Sequence, residues 1–480
     1  MRYQRTTGFW LTGVIAAVSL GLVALPSPNT AMADPSTTQT THVDCSSSAS
    51  GDGSIDHPVN GVDKLDKAFG PGKRVLFKRG TTCRGTVVVN ASGTNHARTL
   101  IGAYGQGKAP ILDAQGSATN QRSVIEVDDR SHITIQDLTV RNGWFSNISV
   151  EAHNGHVMEG ITVQRVAVEE NAWKGGPNKV TDNFWVMGVG GVIVMPCSAR
   201  SAIKDVVIDQ VEASRQHYAG VQVGYHQLHP WSDYEKGIKR DGYMVPTCFD
   251  QESKPYPHVS PVTGIQNAVI SNSSLHDNDA MGAGIFGATD VLLRNNDLYR
   301  NGSGIGNPGN TMNGTGAWWD TTRHVTAEWN NAWGNRVGYR GQDGTGLDAD
   351  RNTKNSIIQN NYLHDNGGYG ASVIAAYGDA SATIRHNLMV DNGTHDPDRS
   401  SDIMISSYSS PTEDGRSVTG QVSGLWIYGN TIHRDQGKGN APGIRLQSRY
   451  RPNTAISIVN NIVNRPGRGG IYSFQTTDAA

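Results

Sequence analysis

A short phrase repeats along this chain: a Gly followed by an alternating apolar run. Gly346-Leu347-Asp348-Ala349-Asp350 is its plainest form. Its relatives are Gly220-Val221-Gln222-Val223, Gly284-Ile285-Phe286-Gly287, Gly316-Ala317-Trp318-Trp319-Asp320, Gly370-Ala371-Ser372-Val373, Asp402-Ile403-Met404-Ile405, Gly443-Ile444-Arg445-Leu446 and Gly470-Ile471-Tyr472-Ser473. Alternation with period two is a strand pattern that sends successive side chains to opposite faces. One such run is too short to bury a face alone, so the copies must stack. A second phrase, apolar-x-apolar-x-x-Asn-x-apolar, accompanies most of them. It is marked by Asn296, Asn331, Asn361, Asn387, Asn430 and Asn461. The markers recur at irregular steps of roughly 25 to 45 residues, as in stacked coils with loops inserted at a corner. Asn and Gly suit such corners, because both tolerate left-handed backbone angles and stacked Asn amides bond to one another. Two strand types in fixed order predict a right-handed parallel β-helix.

The beginning of the chain reads as an export signal. Arg2 and Arg5 precede an apolar, uncharged run from Phe9 to Leu25, and Ala31-Met32-Ala33 offers a small-residue cleavage site before Asp34. The mature protein is then expected outside the cell, secreted and with no membrane attachment. Four cysteines in an exported chain predict two disulfides, with Cys45–Cys83 and Cys197–Cys248 favoured because each pair is local, although spacing leaves three pairings open. Charged residues make up 18 % of the chain, the net charge is −2, and no Lys/Arg stripe is present, which argues against a nucleic-acid partner. The expected layout is a signal over 1–33, a flexible leader over 34–42, and one solenoid over 43–480. Val62, Leu65 and Phe69 lie at helix spacing and predict an N-terminal capping helix over the first coil. The repeats lapse at about 225–263, a long inserted loop containing His226, His229, Trp231, Tyr234 and Cys248.

The opening of the solenoid carries Lys73 to Gly80 (KRVLFKRG), Gly85-Thr86-Val87, Ser92-Gly93-Thr94 and Ile101-Gly102-Ala103-Tyr104-Gly105. It resembles the N-terminal cap and first coils of secreted right-handed β-helix proteins of the pectin-lyase-like superfamily. The resemblance extends over nearly the whole mature chain and implies a carbohydrate-active protein. It leaves the activity open, because that superfamily includes lyases, hydrolases, epimerases and phage tail proteins. The Asn-Thr-Asp, Gly-His-Gly and Arg-Ile-Lys motifs of polygalacturonases are absent, as is the Trp-Ile-Asp-His signature of pectate lyases.

Registering the Gly-led strands on their first residue turns Leu347 and Ala349 inward and Asp348 and Asp350 outward. Neighbouring coils then present Gln222, Phe286, Trp318, Asp320, Ser372, Met404, Arg445, Gln447 and Tyr472 on that outer face. Coils ~4.8 Å apart put Asp320 beside Asp350. Carboxylates this close repel when ionised, so one holds its proton to higher pH or all share a cation. Glycoside hydrolysis needs that asymmetry between an acid and a carboxylate. Asp348 and Asp350 are therefore the candidate acid/base pair. Asp320 and Asp343 are assisting acids, and Trp318, Phe286, Arg445, Gln447 and Tyr472 are candidate sugar contacts. The register makes Trp319 point inward; a slip of one residue would make it the sugar platform instead. No cofactor is required, and Ca²⁺ is the one ion the acids are suited to hold. Asp348 to Asn352 resembles the start of an EF-hand loop, but Thr353 and Gln359 stand where that loop needs Gly and Glu. The partner expected is a polysaccharide. A polysaccharide lyase using Arg340, Arg351, Lys354 or Arg445 is the runner-up, followed by a non-catalytic binding solenoid.

Overall fold

The computed structural model describes residues 39–117, 119–172, 189–197, 200–224, 264–302, 314–338, 343–376, 378–395, 400–411, 417–435, 442–448, 453–464 and 472–476. The export signal, Cys248, Arg340 and the insertion at 225–263 lie outside the described residues.

Three strands make a coil. Thr345–Asp350, Ser356–Gln359 and Tyr362–His364 form one, and each pairs in parallel with its counterparts in the coils on either side. Among the described residues the Gly-led strands stack into a 12-stranded parallel sheet running from Val87–Val89 to Tyr472–Thr476. The other two strand types form a 23-stranded sheet. The molecule is thus a parallel β-helix. Its interior is a column of small and branched apolar side chains: Val221, Ala283, Ala317, Leu347, Ala371 and Ile403 follow one another with 0 % exposure.

Two ladders of buried Asn hold the corners on either side of the third strand. In one, Asn296, Asn330, Asn361, Asn387 and Asn430 each donate an amide N–H to the side-chain oxygen of the next Asn, ending on Asn461. Asn278, Asn301, Asn335, Asn366 and Asn392 make the second. The coil marker is therefore Asn330 and not Asn331, whose position pairs with Tyr362 outside the ladder. The left-handed residue is the one just before each ladder Asn: Asn295, Trp329, Asn360, His386, Gly429 and Asn460 all have φ between 53° and 64°.

Asn361 shows how complete the bonding is. Its amide donates to Ala327 O at 2.9 Å and to Asn387 Oδ1 at 2.9 Å, while its oxygen accepts from Asn330 N at 2.9 Å and from Asn330 Nδ2 at 3.0 Å. Asn361→Ala strands several of these groups in the interior and is expected to destabilise the fold by about 2–3 kcal/mol. Urea titration measures this directly, and a loss well below ~1 kcal/mol would refute the ladder's structural role.

The ladder also explains the opening Gly. A Cβ at Gly346 would lie 2.6 Å from Gly370 O and 3.0 Å from Asn366 Nδ2, and one at Gly316 would lie 2.4 Å from Gly346 O. Only Gly lets the coils approach this closely. Because this position and the next both face inward, the residue before the Gly turns outward. Ala219 and Met281 accordingly belong to a second apolar cluster, with Trp144, Phe145, Tyr218, Phe286 and Trp318, outside the main core.

Four expectations need correction or completion. The capping helix is not seen among the described residues: Val62–Lys64 makes a single 3-10 turn, while Leu65 and Phe69 reach the core from an irregular segment. The stretch between Gly61 and Gly70 is shorter than the ~12–15 residues at which a helix begins to hold by itself. The first strand, Thr40–Val43, begins inside the expected leader and pairs with Arg74–Lys78. Cys45 and Cys83 form a disulfide with Cα atoms 5.2 Å apart, and Cys197 is also disulfide-bonded, its expected partner Cys248 lying outside the described residues. Tyr472 pairs with Ile444 in the inward row, and Ser473 takes the place beside Arg445. The last strand is thus shifted by one residue relative to its Gly.

Candidate active site

The outer face of the Gly-led sheet carries two rows. Gln222, Gly284, Trp318, Asp348, Ser372, Met404 and Arg445 follow one another in the first. In the second, Phe286 pairs with Asp320 and Asp320 with Asp350, and further along Ile374, Ser406 and Gln447 are in register. The facing inferred from the opening Gly therefore holds for every candidate on these strands except Tyr472, although Gly282, and not Gly284, is the counterpart of Gly316, which moves Phe286 into the second row. Trp319 faces inward at 0 % exposure and donates its indole N–H to Ser356 Oγ at 3.0 Å.

This face points away from the β-helix interior, yet it is not a solvated ridge. Asp320 is 1 % exposed, Asp348 3 %, Trp318 6 % and Arg445 6 %. Phe286, expected to touch sugar, is fully buried and packs edge-to-face on Trp318 with ring centroids 4.9 Å apart. It supports the Trp318 ring from below and is not itself a contact surface.

Arg351 is the charge at the centre. The chain leaves the strand at Asp350 and turns with Arg351 and Asn352 both at positive φ. The turn folds the guanidinium back, so that its Nε stands 2.8 Å from Asp320 Oδ2 and 3.1 Å from Asp350 Oδ2. Its guanidinium carbon lies 5.3 Å from the centre of the Trp318 ring. Asp320 also accepts a hydrogen bond from Thr321 Oγ1 at 2.8 Å, and Asp350 accepts one from the Arg351 backbone N–H at 2.8 Å. The positive charge among these acids is thus part of the chain.

The carboxyls differ in their hold on a proton. Burial, and then the charges of Asp350 and Asp343, push Asp348 far above the usual carboxylate range, with a hydrogen bond to Ser372 and the charge of Arg351 opposing. Burial also lifts Asp350, against Arg351, and Asp320 and Asp343 raise it further, to about 7. Asp343, in the turn before the strand, is partly exposed. Tyr369 was not expected. Burial raises its phenol, as do Tyr408, Asp343 and Asp348, while Arg445 opposes them. Its signal was its place just before Gly370, the position that turns outward in neighbouring coils. Lys354 lies past the corner, in a bridge with Arg323.

A second group, Glu151, His153 and Cys197, brings potential metal-ligand atoms within 4.8 Å of one another. The Cys197 sulfur is held in a disulfide and offers no thiolate.

A family model described as "Right handed beta helix region" matches residues 261–432. No curated protein matches the sequence. Among solved structures, the GH136 lacto-N-biosidase from Eubacterium ramulus is similar with a TM-score of 0.60 at 17 % identity, over 88 % of this chain and 68 % of that one. Its selenomethionine derivative gives a TM-score of 0.54 at 16 % identity over the same shares. The A-module of a mannuronan C-5 epimerase from Azotobacter vinelandii gives 0.46 at 14 % identity, over 85 % of this chain and 91 % of that one. Likeness at these identities concerns the fold, and with the paired strands and Asn ladders it makes this chain a right-handed parallel β-helix.

Proposed function

We propose that this protein is a glycoside hydrolase acting on a polysaccharide or its oligosaccharides, with Asp350 as the proton donor. The observation that carries this reading is one carboxyl lifted to about 7 inside a group of four acids, beside a fixed Arg351. A general acid works best when its proton affinity lies near the working pH. Asp350 protonates the departing glycosidic oxygen. The ionised partner is Asp343, in the turn before the strand, whereas Asp320 is buried and paired with Arg351. Asp348 stays neutral and bonded to Ser372, shaping the site without changing charge. Trp318, held by Phe286 and Arg351, is the aromatic side chain next to the acids.

A lyase is the second reading, favoured by one observation: Tyr369 and Arg445 share the neighbourhood of Asp343 and Asp348, as a base and a cation for a uronate would. Digestion of a glycan panel separates the two. Hydrolysis releases reducing ends alone, whereas elimination also leaves an unsaturated sugar that absorbs in the ultraviolet. Neither product across the panel leaves the binding solenoid. We propose further that residues 1–33 are removed on export, in keeping with the Cys45–Cys83 disulfide. Mass spectrometry of the secreted protein should find Asp34 at its N-terminus.

A further inference from the structure

Four side-chain oxygens on the outer face of the Gly-led sheet are buried and find no hydrogen-bond partner among the described residues: Gln222 Oε1, Thr315 Oγ1, Thr345 Oγ1 and Ser406 Oγ. Gln222 and Ser406 are 0 % exposed, Thr345 1 % and Thr315 4 %. Such groups are rare in folded proteins, because each forgoes its bonds to water and gains nothing in return.

Their positions are not scattered. Thr345 pairs with Thr315, and Thr315 with Met281. All three stand just before the Gly of this row, Gly282, Gly316 and Gly346, where the side chain turns outward. Met281 lies over this face, because its sulfur occupies the space 2.7 Å from where a Gly284 Cβ would be. Thr315 and Thr345 thus border Trp318 and Asp348 on their own strands. Ser406 is in register with Ile374, the neighbour of Val373, which pairs with Ala349. It therefore falls in the Asp350 row two coils on, ~10 Å away. The acids thus have orphaned hydroxyls near them in two directions, Thr315 and Thr345 earlier on the same strands and Ser406 two coils further along the axis.

The chemistry of the orphans selects a ligand. Three are hydroxyls, which both donate and accept, and the fourth is an amide oxygen. They match the hydroxyls of a sugar ring. We infer that the substrate is a neutral glycan, with Thr315 and Thr345 hydrogen-bonding one sugar beside the acids and Ser406 another. This rests on the hydrolase reading for where the substrate lies. The neighbouring charges favour the same class: with Asp348 neutral and Asp350 protonated, the ionised Asp343 still repels a uronate, and Arg351 is already engaged by Asp320 and Asp350.

Calorimetric titration of the full chain carrying Asp350→Asn tests the inference without turnover. The probes are cellotetraose, mannotetraose, galactotetraose and chitotetraose on one side, and tetragalacturonate and tetramannuronate on the other. At least one neutral probe should bind, and neither uronate should bind as tightly. Adding Thr345→Val, Thr315→Val or Ser406→Ala should weaken that binding by about 3- to 10-fold each, as expected for one lost hydrogen bond. The same changes should leave the melting temperature unchanged or higher, since each removes a buried hydroxyl that has no partner. A lower melting temperature with unchanged affinity would mean that the hydroxyls are structural or hydrate each other through water, and would overturn the inference. So would tighter binding of a uronate, or no binding by any probe. Binding of a neutral probe that the parent does not cleave sinks the hydrolase reading alone, and cleavage of a uronate chain sinks this inference alone.

Discussion

Asp350→Asn lowers turnover by about 10²–10⁴-fold, the range set by removal of a positioned general acid. Asn has the shape of Asp but cannot deliver the proton. The same reading fixes the pH profile of the parent. A general acid acts only while protonated, so kcat falls as pH rises through about 7, where Asp350 loses its proton. Asp343→Asn loses turnover on the same scale, because it removes the ionised partner. Asp348→Asn behaves differently: Asp348 is held neutral against Ser372, and a neutral amide in its place costs no more than ~10-fold. Rates and pH profiles for the three variants on one cleaved substrate decide the matter. An equal collapse in Asp348→Asn and Asp350→Asn would return the proton-transfer roles to that pair, and unchanged rates in Asp350→Asn would remove it from the chemistry.

The fold was legible because its rules are local and repeated. Period-two alternation sorted Leu347 and Ala349 from Asp348 and Asp350, and counting from the opening Gly placed Asp320 beside Asp350. The same count failed by two residues at Gly284, which pairs with Trp318, and by one at Tyr472, where nothing local marks the shift. The Asn marker was misplaced by one in Asn330-Asn331, since adjacent Asn residues look alike until the ladder picks one. What the sequence could not convey was burial of the outer face. Alternation distinguishes the inside of a coil from its outside, but not an outside that is covered from one that is wet. Phe286 therefore read as a sugar contact and proved a support for Trp318. Arg351 could be named as a cation, but its grip on Asp320 and Asp350 depends on a left-handed turn that no period announces. Tyr369 and Thr345 were missed because the outward turn before each Gly breaks the alternation that located everything else.

The burial of these acids, and then their mutual repulsion, gives the protein an unusual dependence of stability on pH. Asp348 and Asp350 bind protons more tightly when folded than when unfolded, where a carboxyl titrates near ~3.9. Their contribution is fully present below that value and is lost as pH rises through the folded values, about 7 for Asp350. Asp128, raised to about 6 by burial and by Glu151 and Glu126, adds to the same loss. Asp277 opposes it: its burial is outweighed by hydrogen bonds from Arg300 and His276, so it stabilises above ~3.9 and ceases to as pH falls. The melting temperature should therefore peak in mild acid and decline toward neutrality. Holding Asp350 ionised in the fold costs on the order of 4 kcal/mol, an upper bound set by its displacement to about 7. Asp350→Asn removes that cost but loosens one contact of Arg351, which keeps its bond to Asp320. Asp348→Asn is the cleaner probe, since its named hydrogen-bond partner is the neutral Ser372. Both variants should melt higher than the parent at about pH 8 and no higher at about pH 4, with a flatter profile between. Melting curves across that range settle the point: a parent that grows steadily more stable up to about pH 8, or variants that melt lower there, would mean that the acids are relieved by a bound cation, and chelator would then lower the parent's melting temperature.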